Sequence, residues 1–184
     1  TNIRFYDDED IKMLLSVAML NRQGHKISKI TRMSREEVDK LVMELTLNAS
    51  DHVIQIESLT KAMFSLDEIA FEKILSSNIL QFGLEGTYLS LVFPFLARVG
   101  VLWQTGSINP AYEHFITNLI RQKLFVAIDA QPKNLLPGAK KFLLFLPQHE
   151  PHEIGLLFAN YLIRSRGNHT SYLGPNLPLD DLAP

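Results

Sequence analysis

The chain has 184 residues, 46% of them hydrophobic and 21% charged, as in an ordinary soluble globular protein of one or two domains. It contains no cysteine, which excludes disulfides, thiolate metal sites and thiol catalysis and fits a reducing cytoplasm. The net charge of −2 gives no global attraction to nucleic acid, and no uninterrupted apolar window reaches the roughly 18 to 20 residues of a membrane span. We therefore expect a cytoplasmic protein with no membrane partner.

The first segment predicts a short strand followed by helices. Residues 2–6 alternate like an edge strand or a wing, and the acidic residues 7–10 open a helix that stops at Gly24. A second short helix covers Ile27 to Ile30, and Ser34-Arg-Glu-Glu37 is a capping box that opens a third. The positions expected to form the buried face of the first helix are Ile11, Leu14, Leu15, Ala18 and Leu20.

Within this segment, Arg4-Phe-Tyr6, Asp8-Glu-Asp10-Ile11 and the helix ending at Gly24-His-Lys-Ile27 stand in a recognisable order. Together they resemble the second half of the MerR-type winged-helix DNA-binding domain. The resemblance implies the last strand of the wing and the two helices after it, with the DNA-reading helix-turn-helix lying earlier. It also implies phosphate contacts for Arg4 and Tyr6, although Tyr6 could equally pack the wing against the first helix. We assign residues 1–49 to this partial domain.

Residues 50–131 predict a helical bundle. Glycine and proline residues mark the ends of four amphipathic helices of similar length, which favours an antiparallel four-helix bundle. The third helix is the most apolar and should be central, with Leu91, Phe95 and Val99 buried and Trp103 continuing the same stripe. Pro94 should kink or break it. The predicted helices are Ser50 to Ser65, Leu66 to Phe82, Glu85 to Gln104, and Pro110 to Ala130.

In residues 132–184 the spacing of hydrophobic residues differs from the helical period of the preceding segment. The continuous apolar run 142–146 is typical of a strand buried on both faces of a parallel sheet. A loop, a helix from Gly155 towards Gly167, a second strand at 169–173, a Gly174-Pro175 turn and a helix beginning at Leu179 follow. Strand, helix, strand, helix is the start of a doubly wound, Rossmann-like α/β sheet, and two strands are too few to complete one. The fold class is thus multi-domain, α and α/β, with a truncated final domain.

Neither a zinc site nor a general acid–base pair fits the polar residues well. His149, Glu150, His152 and Glu153 match no zinc-ligand spacing, and Pro151 interrupts any helix that would align the two histidines. Glu113 and His114 are adjacent in a helix and so poorly placed to act together as general acid and base. We expect neither a free-standing metal site nor an enzyme.

A cofactor site fits better. Glu150-x-His152-x-x-Gly155 lies in the loop after the first strand, where open α/β sheets bind ligands. An imidazole there could ligate a metal, with a carboxylate two residues earlier holding its other nitrogen and a glycine admitting a bulky group. The alternative is a satisfied surface histidine. The triplet resembles the Asp/Glu-x-His-x-x-Gly motif of cobalamin-binding domains, which implies that His152 is the lower ligand of the cobalt.

Upstream, Trp103 is followed after nine residues by Glu113-His114, at the junction of the third and fourth bundle helices. This set is similar to the helical cap of the CarH/LitR branch of MerR-type regulators, and the resemblance implies that Trp103, Glu113 and His114 cover the upper face of the cofactor. Light-sensing members have a histidine after the tryptophan, whereas Gln104 stands here. Because glutamine is a poor cobalt ligand, a light response is left open.

The resemblance as a whole implies a DNA-binding transcriptional regulator in which adenosylcobalamin or methylcobalamin controls homo-oligomerisation and affinity for operator DNA. Two alternatives remain. A corrinoid carrier for methyl transfer would have the same cap and sheet but no use for the wing and its helices. A regulator with a degenerate sensor would work without cofactor, as Gln104 allows.

Overall fold

The computed structural model of the protein describes residues 8–48, 52–104, 108–132 and 137–178, and they are mostly helical. The chain divides into two compact units, Thr1–Phe115 and Ile116–Pro184. The predicted wing strand with Arg4 and Tyr6, and the helix predicted from Leu179, lie outside the described residues. In chain order the elements are α1 (Asp8–Arg22), α2 (Ile27–Ile30), α3 (Arg35–Asn48), α4 (His52–Ser65), α5 (Glu68–Thr87), α6 (Phe93–Gln104), α7 (Pro110–Asp129), β1 (Lys141–Pro147), α8 (Ile154–Ser165) and β2 (His169–Leu177).

Helices α1 to α3 share a small apolar core with the start of α4. The predicted capping box opens α3: the Ser34 N–H donates to Glu37 Oε2 at 2.7 Å, and the Glu37 N–H donates to Ser34 Oγ at 3.2 Å. The predicted buried face of α1 is partly wrong, because Leu14 and Ala18 are exposed. The core consists of Met19, Leu20, Ile30, Val38, Val42 and Ile54.

Polar contacts also join these N-terminal helices to α4. Arg22 Nη1 lies 2.5 Å from Oε1 of the buried Glu57, and Thr46 and Ser58 share a buried hydroxyl–hydroxyl hydrogen bond of 2.5 Å. Helices α1 to α4 therefore pack within one unit. The division of the chain into domains at residues 49/50 and 131/132 stays a prediction.

The apolar middle of the first unit contains a break and a wide turn. Gly83 has φ 72° and ψ 167°, so the helical path is interrupted where the sequence predicts a helix end. After Gly83 the chain continues through a π-helical turn, Tyr88–Val92, into α6. That turn lies directly before Pro94, which lacks an N–H and would clash with the Ser90 carbonyl in a regular helix. The disturbance predicted at Pro94 thus takes the form of a π turn.

The same region holds the deepest core. Leu91, Phe95 and Val99 are buried as predicted, but Trp103 at the end of the stripe is 49% exposed. By length and composition the stretch Glu68–Gln104 could cross a membrane, a test that core helices of soluble proteins also pass. The non-helical Gly83 and the buried stripe favour the core-helix interpretation.

The second unit contains the end of α7 and a parallel β–α–β segment. β1 and β2 pair in parallel from Lys141↔His169 onward, with register irregularities after Leu144 and after Phe145. The parallel pairing confirms the predicted connectivity. Two details of the prediction are wrong. β1 is not buried on both faces, since Leu143 is 52% exposed, and β2 continues through the predicted Gly174-Pro175 turn to Leu177.

The mostly helical chain with a small parallel sheet is compatible with the start of a Rossmann-like domain. The winged helix and the four-helix cap remain predictions.

Candidate cofactor site

The loop between β1 and α8 carries the predicted histidine and is fixed by backbone hydrogen bonds. The Glu150 N–H donates to the Pro147 carbonyl at 3.1 Å, and the His149 N–H donates to Asn176 Oδ1 of β2 at 2.9 Å. His149 and Asn176 both have left-handed backbones, with φ 71° and 62°. Non-glycine residues adopt this conformation at a cost and concentrate at ligand sites. The loop is therefore a specified structure at the carboxyl end of β1.

Glu150 and His152 make the contact that their spacing suggests. Glu150 Oε1 lies 2.6 Å from the ring Nδ1 of His152 and also accepts the His152 backbone N–H at 3.0 Å. The backbone hydrogen bond first, and then the one from the ring, lower the pKa of Glu150. An ionised carboxylate only accepts hydrogen bonds, so Nδ1 is the donor and carries the proton.

This arrangement leaves the other ring nitrogen of His152 suited to a metal. With Nδ1 protonated, the neutral ring has its lone pair on Nε2, and the side chain is 84% exposed. A carboxylate behind a histidine ligand fixes its tautomer and raises its basicity. Among the described residues no three His, Asp or Glu side chains form a cluster able to hold a metal ion. A single oriented imidazole suits a metal that brings its other ligands with it.

Gly155, the third residue of the motif, lies exposed near the start of α8. A Cβ built there would meet no atom within 4 Å, so the packing of the protein does not require glycine at this position. A requirement for glycine would therefore come from outside the chain, such as close approach of a flat ligand.

Glu153, the residue after His152, contacts two residues that the sequence did not single out, Arg121 and Tyr172. Glu153 is buried, its Oε2 accepts a hydrogen bond from the Tyr172 hydroxyl at 2.8 Å, and its Oε1 forms an ion pair with Arg121 of α7. Burial, followed by the hydrogen bond and charge of Glu153, raises the pKa of Tyr172. The sequence gives little indication of these contacts, because Arg121 and Tyr172 lie 32 and 19 residues away from Glu153.

The predicted upper-face residues lie in the first unit, and each is accessible to some degree. Trp103 and Gln104 are exposed at the end of α6, and Glu113 and His114 lie in the first turns of α7 with their side chains 3.7 Å apart. The start of α7 is held by Asn109, whose Oδ1 accepts the Ala111 N–H at 2.9 Å. At 3.7 Å the Glu113 and His114 side chains are close to each other, although their adjacent positions in a helix predict that they point apart.

Aromatic contacts fix this first turn of α7 within the first unit. The Phe64 and Tyr112 rings make an edge contact with centroids 5.4 Å apart, and Phe71 and Phe115 do so at 6.5 Å. Trp103, Glu113 and His114 lie in the first unit. Glu150, His152 and Gly155 lie in the second unit.

Comparison with known families identifies the helical region. Residues 55–127, from α4 to the end of α7, match the family described as the B12 binding domain. This part of the chain is therefore similar to the B12 binding domain. The match covers Trp103, Glu113 and His114, and also Arg121, which contacts the loop after β1.

A curated relative extends the similarity. The HTH-type transcriptional repressor CarH of Myxococcus xanthus is 25% identical over 185 aligned residues, which cover 97% of this chain and 61% of the relative. The chain thus spans less than two thirds of the length of the relative. The two matches confirm the resemblance to the CarH/LitR branch that the sequence indicates.

Proposed function

We propose that this chain is the sensory part of a transcriptional regulator that binds cobalamin, with His152 as the protein ligand of the cobalt. The observation that carries the proposal is the Glu150–His152 contact at the carboxyl end of β1, in a chain whose helices match the B12 binding domain family. Cobalamin brings its own cobalt, which matches a loop that offers one oriented imidazole.

Each side chain then has a role towards the cofactor. Glu150 keeps the proton on Nδ1 of His152 and so directs the Nε2 lone pair to the metal. Gly155 allows the corrin ring to approach the backbone of α8. The exposed indole of Trp103, with Glu113 and His114, would contribute further contacts to the cofactor. A cobalamin that carries an alkyl group would supply a light-sensitive cobalt–carbon bond.

Regulation is proposed from the relative and from the N-terminal sequence. Occupancy of the site would change homo-oligomerisation and thereby the affinity for operator DNA, since ligand binding shifts whichever state it favours. Arg4 and Tyr6 are proposed to contact DNA phosphates. Gln104 removes the histidine that light-sensing members have beside the tryptophan, so we propose cofactor sensing as the primary function and light as secondary to it.

Trp103 offers a direct test, because it is the only tryptophan of the chain. Adenosylcobalamin absorbs where tryptophan emits, so binding is expected to quench the fluorescence saturably, with an end point of one cofactor per chain. The control is the variant His152→Ala, which should need about tenfold to hundredfold more cofactor for the same quenching. A linear decrease equal to that of free tryptophan amide would show that no complex forms.

A further inference from the structure

Glu153, the residue directly after His152, is the buried carboxylate of a partly exposed ionic cluster. Its side chain is only 8% exposed, whereas that of His152 is 84% exposed. The carboxylate joins three elements: it lies at the start of α8, pairs with Arg121 of α7 and accepts a hydrogen bond from Tyr172 of β2. A strongly exposed and a buried polar side chain of the loop are thus neighbours in sequence.

Stability alone does not explain a carboxylate in this place. Removing a carboxylate from water costs free energy even when it is paired, and apolar residues of similar size often serve a core equally well. Glu153 does not cap the helix either, because its side chain makes no hydrogen bond to the first turn of α8. Arg121, whose side chain stays 39% exposed, keeps a buried Nε without a hydrogen-bond partner. We therefore expect Glu153 to have a role beyond stability.

Glu153 lies on the far side of His152, in a segment whose backbone is also held by hydrogen bonds. The Glu153 N–H donates to the Pro151 carbonyl at 2.8 Å, and the Glu153 carbonyl accepts the Leu157 N–H at 2.9 Å. On the near side, Glu150 is held by the Pro147 carbonyl. The exposed ring of His152 has little packing to orient it. Its contact with Glu150 Oε1 therefore depends on both ends of this short segment being held in place.

We propose that Glu153 is a positioning residue for His152, and that Arg121 and Tyr172 act through it to keep the imidazole in its Nδ1–H tautomer. The metal-binding consequence rests on the proposed function, whereas the effect on the ring does not. Because Arg121 lies within the matched B12 binding region, the proposal also makes α7 part of the support of the ligand loop.

The first test uses cofactor-free protein. The ¹⁵N shifts of the His152 ring, identified by difference from the variant His152→Gln, report the ratio of the two neutral tautomers at mildly alkaline pH. In Glu153→Gln the ratio of Nδ1–H to Nε2–H is expected to fall roughly threefold to tenfold, the range that the net strength of one hydrogen bond gives. An unchanged ratio overturns the proposal.

Glu57→Gln is the matched control. Glu57 is a second buried carboxylate paired with an arginine, Arg22, and its side chain is 10% exposed. Its substitution should destabilise the protein to a similar degree and leave the tautomer ratio of His152 unchanged. If both variants shift the ratio alike, general loosening is the cause and the proposal fails.

Tyr172→Phe provides a second test in case Glu153→Gln does not fold. It removes one hydrogen bond from Glu153 and leaves no charge unpaired, so the folded state should persist with a smaller shift of the ratio in the same direction. No shift in Tyr172→Phe, when Glu153→Gln does not fold, overturns the proposal.

The second test adds adenosylcobalamin. Glu153→Gln is expected to weaken binding about tenfold to hundredfold and Glu57→Gln to leave it unchanged. Equal affinity of Glu153→Gln and the unaltered protein overturns the metal-binding part. If the unaltered protein binds no cobalamin while the tautomer ratio still responds to Glu153→Gln, the proposed function fails and the positioning of the ring stands.

Discussion

The chemistry of His152 depends on its neighbours at two distances in the sequence. Glu150, two residues earlier, sets the tautomer through a contact of 2.6 Å, and the i, i+2 spacing made this pair predictable. Glu153 was not predictable as part of the same system. Its burial depends on Arg121 and Tyr172, which only the tertiary structure brings to it. Local spacing therefore predicted the contact between Glu150 and His152, whereas the contacts of Glu153 depend on long-range packing.

Burial of tyrosine hydroxyls gives a prediction at the residue scale. Burial raises the pKa of Tyr88, and burial with Glu153 raises that of Tyr172. Because the protonated form is favoured in the folded state, the contribution of both to stability is complete below the ordinary tyrosine pKa of about 10 and is lost as the pH rises towards the raised values. At pH about 11 the native protein should show less tyrosinate absorbance than the denatured protein.

The variants Tyr172→Phe and Tyr88→Phe assign that difference. Each should abolish about one tyrosine of late titration. If the tyrosines of the native protein instead titrate together near the ordinary pKa, the buried surroundings of these two hydroxyls are wrong.

At the scale of elements, helix ends and breaks followed from individual residues. The capping box at Ser34 and the break at Gly83 lie where the sequence predicts them, because each depends on one or two side chains. The extent of β2 and the exposure of β1 did not follow. Whether Gly174-Pro175 turns or continues a strand depends on the neighbouring strand, and how far an apolar strand is buried depends on what covers it.

Gly83 gives the prediction for this scale. Alanine at φ 72° and ψ 167° is strained, so Gly83→Ala should lower the free energy of unfolding by about 1–3 kcal/mol. Steric contact is not the reason, because a Cβ there meets nothing within 4 Å. Denaturant unfolding monitored by circular dichroism measures the change.

Gly100→Ala is the control for that measurement. Gly100 lies in α6, its added Cβ also meets nothing within 4 Å, and its backbone is helical. Alanine there should be neutral or stabilise by up to about 1 kcal/mol. Equal effects of the two substitutions on the free energy of unfolding would show that the backbone conformation at Gly83 does not require glycine.

At the scale of the whole molecule, the order of the parts carries the interpretation. N-terminal helices, a region that matches the B12 binding domain family and a loop with Glu150, His152 and Gly155 follow one another, and similarity to the CarH repressor runs along 97% of the chain. The order was predictable because each part has its own local pattern. The exposure of Trp103 was not, since helical periodicity alone places it on the same stripe as the buried Phe95 and Val99. That exposure is what a cofactor-covering role requires.

The central claim is that His152 ligates the cobalt of a bound cobalamin, and the absorption spectrum of the complex tests it most directly. With adenosylcobalamin, the full-length protein is expected to give the spectrum of cobalamin whose own base has been displaced by a histidine. His152→Ala should lose that spectrum and show either free cofactor or cofactor with its own base retained, while Glu57→Gln should keep it. Identical spectra for the unaltered protein and His152→Ala would contradict the account.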